Sequence, residues 1–379
     1  MYMTKLSSIA DYVTDKISSN DIALREYVTT DCILQNKKGR EIATNLPPQS
    51  CCLTRYQHGD VLIANIRPYL KKVWFADIDG GASSDVLVFR AKEGHSPSFL
   101  YAVLLQDSFF DYVMQGAKGS KMPRGDKEQI LRYEMPTLSC SEESIGTFFL
   151  NLDQKIRLNE QINQNLEAMA KQLYDYWFVQ FDFPNEEGKP YKSSGGEMLW
   201  NEKLKRKIPV GWHCGNLFEI AVFTNGLACQ KFRPKDNEVP LPVIKIREMH
   251  DGISVDTEKV TSNIPESVKV YNGDVLFSWS ASLEVMLWAY GLGGLNQHIF
   301  KVTSANDFPK SFYYFQLLDY VDVFKKMAEA RKTTMGHITQ DHLQQSTIAI
   351  PDNKDIADKF EELISPIFRQ IIKLNLLAS

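Results

Sequence analysis

The feature that most constrains this chain is an internal repeat that covers most of its length. The tetrapeptide Gly-Asp-Val-Leu at 59–62 returns at 273–276, 214 positions later, and Trp74 matches Trp288 at the same offset. Further collinear matches, at offsets of 211 to 213, are Leu6, Ile9 and Ala10 with Leu217, Ile220 and Ala221, Ser98-Phe99 and Leu104-Leu105 with Ser311-Phe312 and Leu317-Leu318, and Met122 with Met335. A repeat of this length predicts two domains that share one fold.

Each copy ends in a segment whose apolar residues step by three and four, which is the spacing of a heptad seam. The predicted pairing residues are Ile145, Phe149, Leu152, Ile156, Asn159 and Asn163 in the first copy and Ile356, Phe360, Leu363 and Ile367 in the second. Asparagines within a seam lower stability but can define register and partner. The alternative is that each helix is simply amphipathic and covers its own domain. The same seam in both copies favours two helices that pack on each other.

The predicted fold class is α+β, with two repeated domains, each followed by a long helix. A globular domain over 1–140 precedes a helix of about 60 Å over 141–181, from a rise of about 1.5 Å per residue. A polar linker over 182–208 leads to a second globular domain over 209–352 and a shorter helix over 353–379. We expect the two helices to form an antiparallel coiled coil about a pseudo-two-fold axis, with Phe149 and its neighbours buried in the seam.

Alternation of apolar and polar residues predicts strands within each copy, and 3.6-residue periodicity predicts helices. The predicted strands are Asp60–Ile66, Val73–Ala76 and Asp85–Arg90 in the first copy and Asp274–Ser278, Val285–Tyr290 and His298–Val302 in the second. The predicted helices are Ser98–Gln115 and Lys310–Ala330.

Motifs of known enzymes are missing from the sequence. It has no phosphate-binding loop, no glycine-rich nucleotide turn and no zinc-binding pattern of His or Cys, so we predict no catalytic residue, no metal and no cofactor in this chain. Neither a signal peptide nor a membrane span is predicted, which indicates a cytoplasmic protein. The net charge is −4, but segment 141–187 alone holds nine acids and three bases, so the rest of the chain is slightly basic.

Basic residues cluster beside predicted turns in both copies. Lys and Arg neutralise DNA phosphates, and Arg, Ser and Thr reach base edges, so these loops are candidates for DNA contacts. The alternative is that they are ordinary solvated surface charges. The candidate DNA-binding residues are Lys37, Lys38, Arg40, Arg67, Tyr69, Lys71, Lys118, Lys121 and Arg124 in the first copy and Lys231, Arg233, Lys245, Arg247, Ser278, Ser280, Arg331, Lys332, Thr333 and His337 in the second.

At this point the chain resembles a known family, the specificity subunits of type I restriction-modification enzymes. The runs 158–170 and 177–182 are similar to the family's first conserved helix, and 208–212 is similar to the start of its second recognition domain. The short turns at 59–62 and 119–123 are similar to turns within its recognition domains. The resemblance covers essentially the whole chain, and the helix is its most specific part.

The resemblance implies that each globular domain recognises one half of a split double-stranded DNA site and that the helices set the spacing. It implies two methyltransferase subunits, which use S-adenosylmethionine, and restriction subunits that use ATP and Mg. Two alternatives stay open at this point: a DNA-reading subunit of another methylation-based defence system, and a tandem-repeat scaffold that binds only protein. We also expect the basic residues of both domains to lie on one concave side of the molecule.

Overall fold

A computed structural model describes residues 3–137, 140–330 and 338–378, without the side chains of 328–330 and 378. The chain divides into two compact units, Met1–Arg157 and Leu158–Ser379. None of the helices in the described ranges is both long enough and apolar enough to cross a membrane.

The first unit has the predicted mixture of short strands and helices. Its strands are β1 (Met3–Lys5), β2 (Ala10–Tyr12), β3 (Lys16–Ser18), β4 (Tyr27–Val28), β5 (Cys52–Tyr56), β6 (Val61–Ala64), β7 (Val73–Phe75), β8 (Gly80–Ala82), β9 (Val86–Ala91) and β10 (Glu134–Pro136). Its helices are α1 (Leu6–Ile9), α2 (Pro97–Leu104), α3 (Asp107–Gln115), α4 (Lys127–Ile130) and the long α5 (Glu142–Tyr174), which ends in the second unit.

The second unit has a related order of elements after an additional hairpin. Its strands are β11 (Met198–Asn201), β12 (Arg206–Pro209), β13 (Trp212–Gly215), β14 (Ala221–Asn225), β15 (Leu241–Ile244), β16 (Lys259–Val260), β17 (Lys269–Val270), β18 (Val275–Ser278), β19 (Glu284–Leu287), β20 (Gly293–Leu295), β21 (Ile299–Ser304) and β22 (Ile348–Pro351). Its helices are α6 (Leu217–Ile220), α7 (Ile246–Asp251), α8 (Lys310–Ala330), α9 (Gln340–Gln344) and α10 (Asp355–Ala378). Helix α7 is added, and there is one long helix, α8, where the first unit has α2 and α3.

One antiparallel sheet has the same strand order in both units. The order β2-β9-β6-β7 of the first unit matches β14-β21-β18-β19 of the second, strand for strand. The outer pair β1-β10 likewise matches β13-β22. The duplication predicted from the sequence is therefore confirmed at the level of topology, including the predicted strands near 61, 73 and 86 and their counterparts.

A second sheet is shared only in part. Strands β5-β8-β4 of the first unit match β17-β20-β15 of the second, each with one antiparallel and one parallel pairing. The fourth strand is added at opposite edges, since β3 pairs with β5 whereas β16 pairs with β15. The two units therefore share three strands of this sheet and differ in the edge that carries the fourth. A strand can be added at an edge without disturbing a core.

The repeated Gly-Asp-Val-Leu motif closes a turn in each unit. Gly59 and Gly273 both have φ +88°, a left-handed conformation that glycine adopts at no steric cost. The carboxylate of the next residue, Asp60 or Asp274, accepts a hydrogen bond from the main-chain N–H of the residue three positions earlier. The same carboxylate pairs with Arg90 or Lys301 on the adjacent strand. The repeat at this position is therefore explained by folding, with no need for a ligand.

The segment 182–208, predicted to be a polar linker, is folded. It contains the β11–β12 hairpin, and Phe183 stacks on Trp212 with ring centroids 5.6 Å apart. Asp182 accepts hydrogen bonds from the main chain and the hydroxyl of Ser193. The composition suggested a linker because charged and small residues dominate, but the buried side chain of Phe183, beside Phe181 just before the segment, attaches it to the core of the second unit.

Within the second unit, the end of α5 packs antiparallel against α10. Tyr174 lies against Phe360, with ring centroids 6.1 Å apart, whereas Asn163 lies against the carbonyl oxygen of Ile371. Residue numbers therefore rise along α5 where they fall along α10, which is the antiparallel packing that the tandem duplication predicted. Asn159 and Asn163 are both buried, which agrees with their predicted place in the seam.

The rest of the predicted seam is partly wrong. Phe149 and Leu152 are 39% and 45% exposed, and Leu363 is 49% exposed, so these three side chains are not buried in a seam. Ile145 packs on the core of the first unit, and Ile156 is half-buried. Among the predicted residues of α10, Phe360 is buried, while Ile356 and Ile367 lie partly buried against the core of the second unit. A heptad pattern does not distinguish a helix face that packs on another helix from one that packs on a domain core. Helix α10 makes both kinds of contact, with α5 and with the core of the second unit.

Candidate nucleic-acid interface

Three loops of the first unit that are far apart in the sequence are joined by main-chain hydrogen bonds. We call the segments 35–40, 65–72 and 118–125 the three-loop junction. The N–H of Lys37 donates to the carbonyl of Lys71 at 3.0 Å, and the N–H of Arg67 donates to the carbonyl of Pro123 at 2.8 Å. The structure thereby brings together the three basic clusters that the sequence analysis selected in this domain.

The backbone of the junction is strained at its basic residues. Lys37, Arg67 and Lys71 have φ values of +64°, +53° and +50°, in the left-handed region that residues with a side chain rarely adopt. Each such residue costs on the order of 1–3 kcal/mol and persists only where the surrounding structure imposes it. Strain of this kind concentrates at functional sites, which favours a role for these loops beyond solubility.

Carboxylates hold two of the cations. The Nζ atoms of Lys37 and Lys71 lie 2.7 Å and 2.9 Å from the same oxygen of Asp107 at the start of α3. Hydrogen bonds from these two lysines, Lys37 first, hold the pKa of the Asp107 carboxyl below its usual value, so the acid stays ionised at neutral pH. All three groups are partly exposed, so the pairs add little stability but define where the two ammonium groups lie.

The third loop is organised in the same way. Arg124 pairs with Asp85 at 3.1 Å, and Lys118 pairs with Asp126 at 3.0 Å. Hydrogen bonds from the main chain of α4, above all from Gln129, and then from Lys118, lower the pKa of Asp126. Among the residues that the structure describes, Lys38, Arg67 and Lys121 form no ion pair, and all three are exposed. Tyr69, at the tip of the middle loop, is also exposed.

Arg40 has a structural role that the sequence did not indicate. Its guanidinium lies 4.3 Å from the centroid of the Trp74 ring, and its Nη1 donates to the carbonyl oxygen of Arg25 at 2.9 Å. A cation over an indole face is a favourable contact that stabilises the core around the repeated tryptophan. Arg40 therefore attaches the first loop of the junction to Trp74 and to the main chain at Arg25.

Two candidate basic residues of the second unit, Lys245 and Arg247, line an open cleft of 450 Å³. Lys245 forms a hydrogen bond with Glu258, and Arg247 pairs with the buried Glu248 at 2.7 Å. Lys231 and Arg233 are exposed. The cleft is lined by Gln230, Lys245, Ile246, Arg247, Glu258, Asn296, Gln297 and His298.

Two candidates of the second unit are corrected. Ser278 is fully buried, and its hydroxyl donates to the carbonyl of Ser282 and accepts from the N–H of Glu284, so it closes the β18–β19 turn. Ser280 is buried as well. Neither side chain is open to DNA, because both lie inside the turn that the sequence placed at the surface. Arg331, Lys332, Thr333 and His337 lie outside the described residues.

The sequence analysis missed residues that the fold places beside these candidates. In the first unit they are the acidic partners Asp85 and Asp107, which composition alone cannot associate with a distant lysine or arginine. In the second unit they are Trp279 and His298, whose rings lie 5.5 Å apart. One signal was available, because Asp85 and His298 are related by the repeat offset of 213.

The junctions of the two units have equivalent main-chain connections. The N–H of Asn65 donates to the carbonyl of Asp85, and in the second unit the N–H of Trp279 donates to the carbonyl of His298. The N–H of Gly125 donates to the carbonyl of Asn65, and in the second unit the N–H of Ile338 donates to the carbonyl of Trp279. The backbone frame is thus repeated while the side chains on it differ.

The chain is similar to a family model and to two known proteins. Residues 209–375 match the model of the type I restriction modification DNA specificity domain. The type I restriction enzyme MjaIX specificity subunit of Methanocaldococcus jannaschii is 22% identical over 94% of this chain and 80% of its own length. The HindI specificity subunit of Haemophilus influenzae is 28% identical over 47% of this chain and 40% of its own.

A solved structure has a similar fold. The crystal structure of a type I restriction-modification S subunit from M. genitalium aligns with 99% of this chain and 91% of its own, at a TM-score of 0.59 and 11% identity. At that identity the likeness concerns the fold alone, and it covers almost the whole chain. The resemblance found in the sequence is confirmed, and the chain is similar to the specificity subunits of type I restriction enzymes.

Proposed function

We propose that this chain is the DNA-recognition subunit of a type I restriction-modification complex and has no catalytic role of its own. Each globular domain recognises one half of a split double-stranded site. The observation that carries the proposal is the three-loop junction, where basic residues from three distant segments lie on one strained and hydrogen-bonded frame. Such a frame suits a surface that must present cations at defined positions to a polyanion.

The charges and ion pairs of the junction suggest which residues contact phosphates and which contact bases. Lys38 and Lys121 are exposed cations without an ion pair among the described residues, and they suit contacts with phosphates, which carry no sequence information. Arg67 is exposed on a rigid turn and suits a base edge, where arginine bonds guanine through two N–H groups. The equivalent frame of the second domain carries different side chains, so the two half-sites differ in sequence.

The partners belong to the same proposal. The helices α5 and α10 would dock two methyltransferase subunits, and restriction subunits would join them, in the cytoplasm where the DNA lies. S-adenosylmethionine, ATP and Mg would then be bound by those subunits. The exposed apolar side chains Phe148, Leu152 and Met169 on α5 support a partner on this helix, because large apolar side chains seldom stay exposed along one element.

The test is a titration of the full chain with duplex DNA across salt concentration. Affinity should fall as salt rises, and Lys121→Gln should weaken binding to every sequence and lower the salt slope by about one unit. The matched control is Lys5→Gln, an exposed lysine on β1 outside the junction. An affinity that does not change with salt would contradict DNA recognition and favour the tandem-repeat protein scaffold.

A selection from a random duplex pool tests the split site. The selected sequences should show two separated blocks of base preference, and Arg67→Ala and Arg233→Ala should each relax a different block. A single block that responds to both variants would contradict the assignment of one half-site to each domain. If the DNA-reading subunit of another methylation-based defence system were the better description, the two blocks would remain but methyltransferases of another class would copurify.

A further inference from the structure

We propose that Arg124 reads a base in the half-site of the first domain and that Asp85 is the positioning residue that orients its guanidinium. The inference rests on the proposed function and deepens it, since it assigns a specific pair within the three-loop junction. The pair combines residues from two loops that are separated in the sequence by α2 and α3. Asp85 was not among the residues that the sequence analysis selected.

The backbone of Arg124 is held from two directions. Its N–H donates to the carbonyl of Lys118 at 3.0 Å, and its own carbonyl accepts from the N–H of Lys118 at 3.0 Å. It also forms an antiparallel bridge with Ile66 in the middle loop. A side chain on such a frame loses little conformational entropy on binding, which is what a residue that selects one base requires.

The guanidinium of Arg124 is held by a third element. Its Nη2 lies 3.1 Å from Oδ1 of Asp85, which comes directly before β9. The carbonyl of the same Asp85 accepts the N–H of Asn65, so the aspartate is itself attached to the middle loop. One ion pair of a guanidinium to a single carboxylate oxygen uses part of its five N–H donors and leaves others for a base edge.

The side chain of Arg124 is more exposed than those of arginines that stabilise the domain. The Arg124 side chain is 57% exposed although it is ion-paired. Arg90 and Arg157 are also paired with aspartates, but both lie against the domain core with about half that exposure. A side chain that is oriented by a carboxylate and still open to solvent has the geometry of a recognition residue, since it can meet DNA without rearranging.

The second domain supports a role at this position. The residue equivalent to Asp85 is His298, which makes the same main-chain connection. Its Nδ1 atom is buried and has no hydrogen-bond partner within the described part of the chain. The two domains thus keep the connection and change the side chain, as expected where each recognises a different sequence.

The experiment is a selection from a random duplex pool by the full chain, with the variants Arg124→Ala, Asp85→Asn and Asp85→Glu. Arg124→Ala should reduce the preference at one base pair by about 5- to 150-fold, the range of one bidentate contact. Asp85→Asn should reduce the preference at that same base pair, and the double variant should lose no more than Arg124→Ala alone. Asp85→Glu, which keeps the charge, should restore part of the preference.

The control is Asp11→Asn, which removes a carboxylate paired with Lys92 and lies toward the other end of β9. It should leave every base preference unchanged. If Asp85 only neutralises Arg124 as a surface ion pair, Asp85→Asn will strengthen binding to all sequences evenly and keep the preference, which overturns the proposal. Preferences that fall equally at all positions in Arg124→Ala would also overturn it. If the unaltered chain selects no sequence at all, the proposed function itself fails.

Discussion

Asn163 on α5 donates through Nδ2 to Oδ1 of Asn375 on α10 at 2.6 Å. The pair joins two helices from opposite ends of the second unit, and Asn163 is only 6% exposed. Its own Oδ1 is buried without a hydrogen-bond partner in the described residues. A polar pair in an apolar seam favours one register of the two helices, because any shift would leave both amides unsatisfied.

Removing one member of this pair should destabilise the second unit. Asn375→Ala leaves the buried Nδ2 of Asn163 with only a long contact of 3.5 Å to the Ile371 carbonyl. We expect the free energy of unfolding in urea to fall by about 1–3 kcal/mol. The double variant Asn163→Leu with Asn375→Leu should recover the loss, since it leaves no polar group unpaired. A double variant that is less stable than Asn375→Ala would contradict this account.

Two phenylalanines of the helices should behave differently. Phe360 is fully buried and contacts the rings of Tyr174, Trp177 and Phe178, so Phe360→Ala should lower the free energy of unfolding by about 3–5 kcal/mol. Phe149→Ala should cost about 1 kcal/mol or less, because Phe149 is 39% exposed and so buries much less apolar surface than Phe360. Equal losses for the two variants, measured by urea denaturation, would show that Phe149 is buried in solution.

Gly39 in the first basic loop should not tolerate a side chain. Its φ is +89°, and a Cβ there would lie 2.1 Å from Nη1 of Arg157, which bonds Tyr101 and Asp153. Gly39→Ala should therefore cost more than the roughly 1–2 kcal/mol of a left-handed alanine. The matched control is Gly94→Ala, which has φ +87° but open space around it. The difference between the two melting temperatures isolates the clash, and equal values would contradict it.

His213 should make the stability of the second unit depend on pH. Partial burial opposes its charged form, but hydrogen bonds to Asp352 at 2.6 Å and Glu219 at 3.1 Å outweigh this and raise its pKa above the ordinary 6.5. A raised pKa in the folded state stabilises the fold at low pH, and that stabilisation is lost as pH rises from 6.5 through the raised value. The stability gap between the unaltered chain and His213→Asn should therefore shrink with rising pH. A gap that is constant from about pH 5.5 to about pH 8.5 would contradict the assignment.

Much of this architecture was determined by the sequence alone. The repeat, the sheet strands near 61, 73 and 86, and the helices α5 and α10 follow from periodicity and turn residues, which act over a few positions of the chain. The glycine at 59 and its copy at 273 permit a left-handed turn at no steric cost, and both adopt one. Such features are local, so a pattern of residues is sufficient to predict them.

Other features were decided only by the tertiary structure. Lys37 and Asp107 are 70 residues apart, and no local pattern indicates that the lysine meets that carboxylate. The same holds for Arg124 with Asp85, for the burial of Ser278 and for the exposure of Phe149. The heptad pattern required an apolar face on α5, but which part of it is covered depends on surfaces from elsewhere in the chain. Charge pairing and burial act through space, and only the folded chain determines which groups are close.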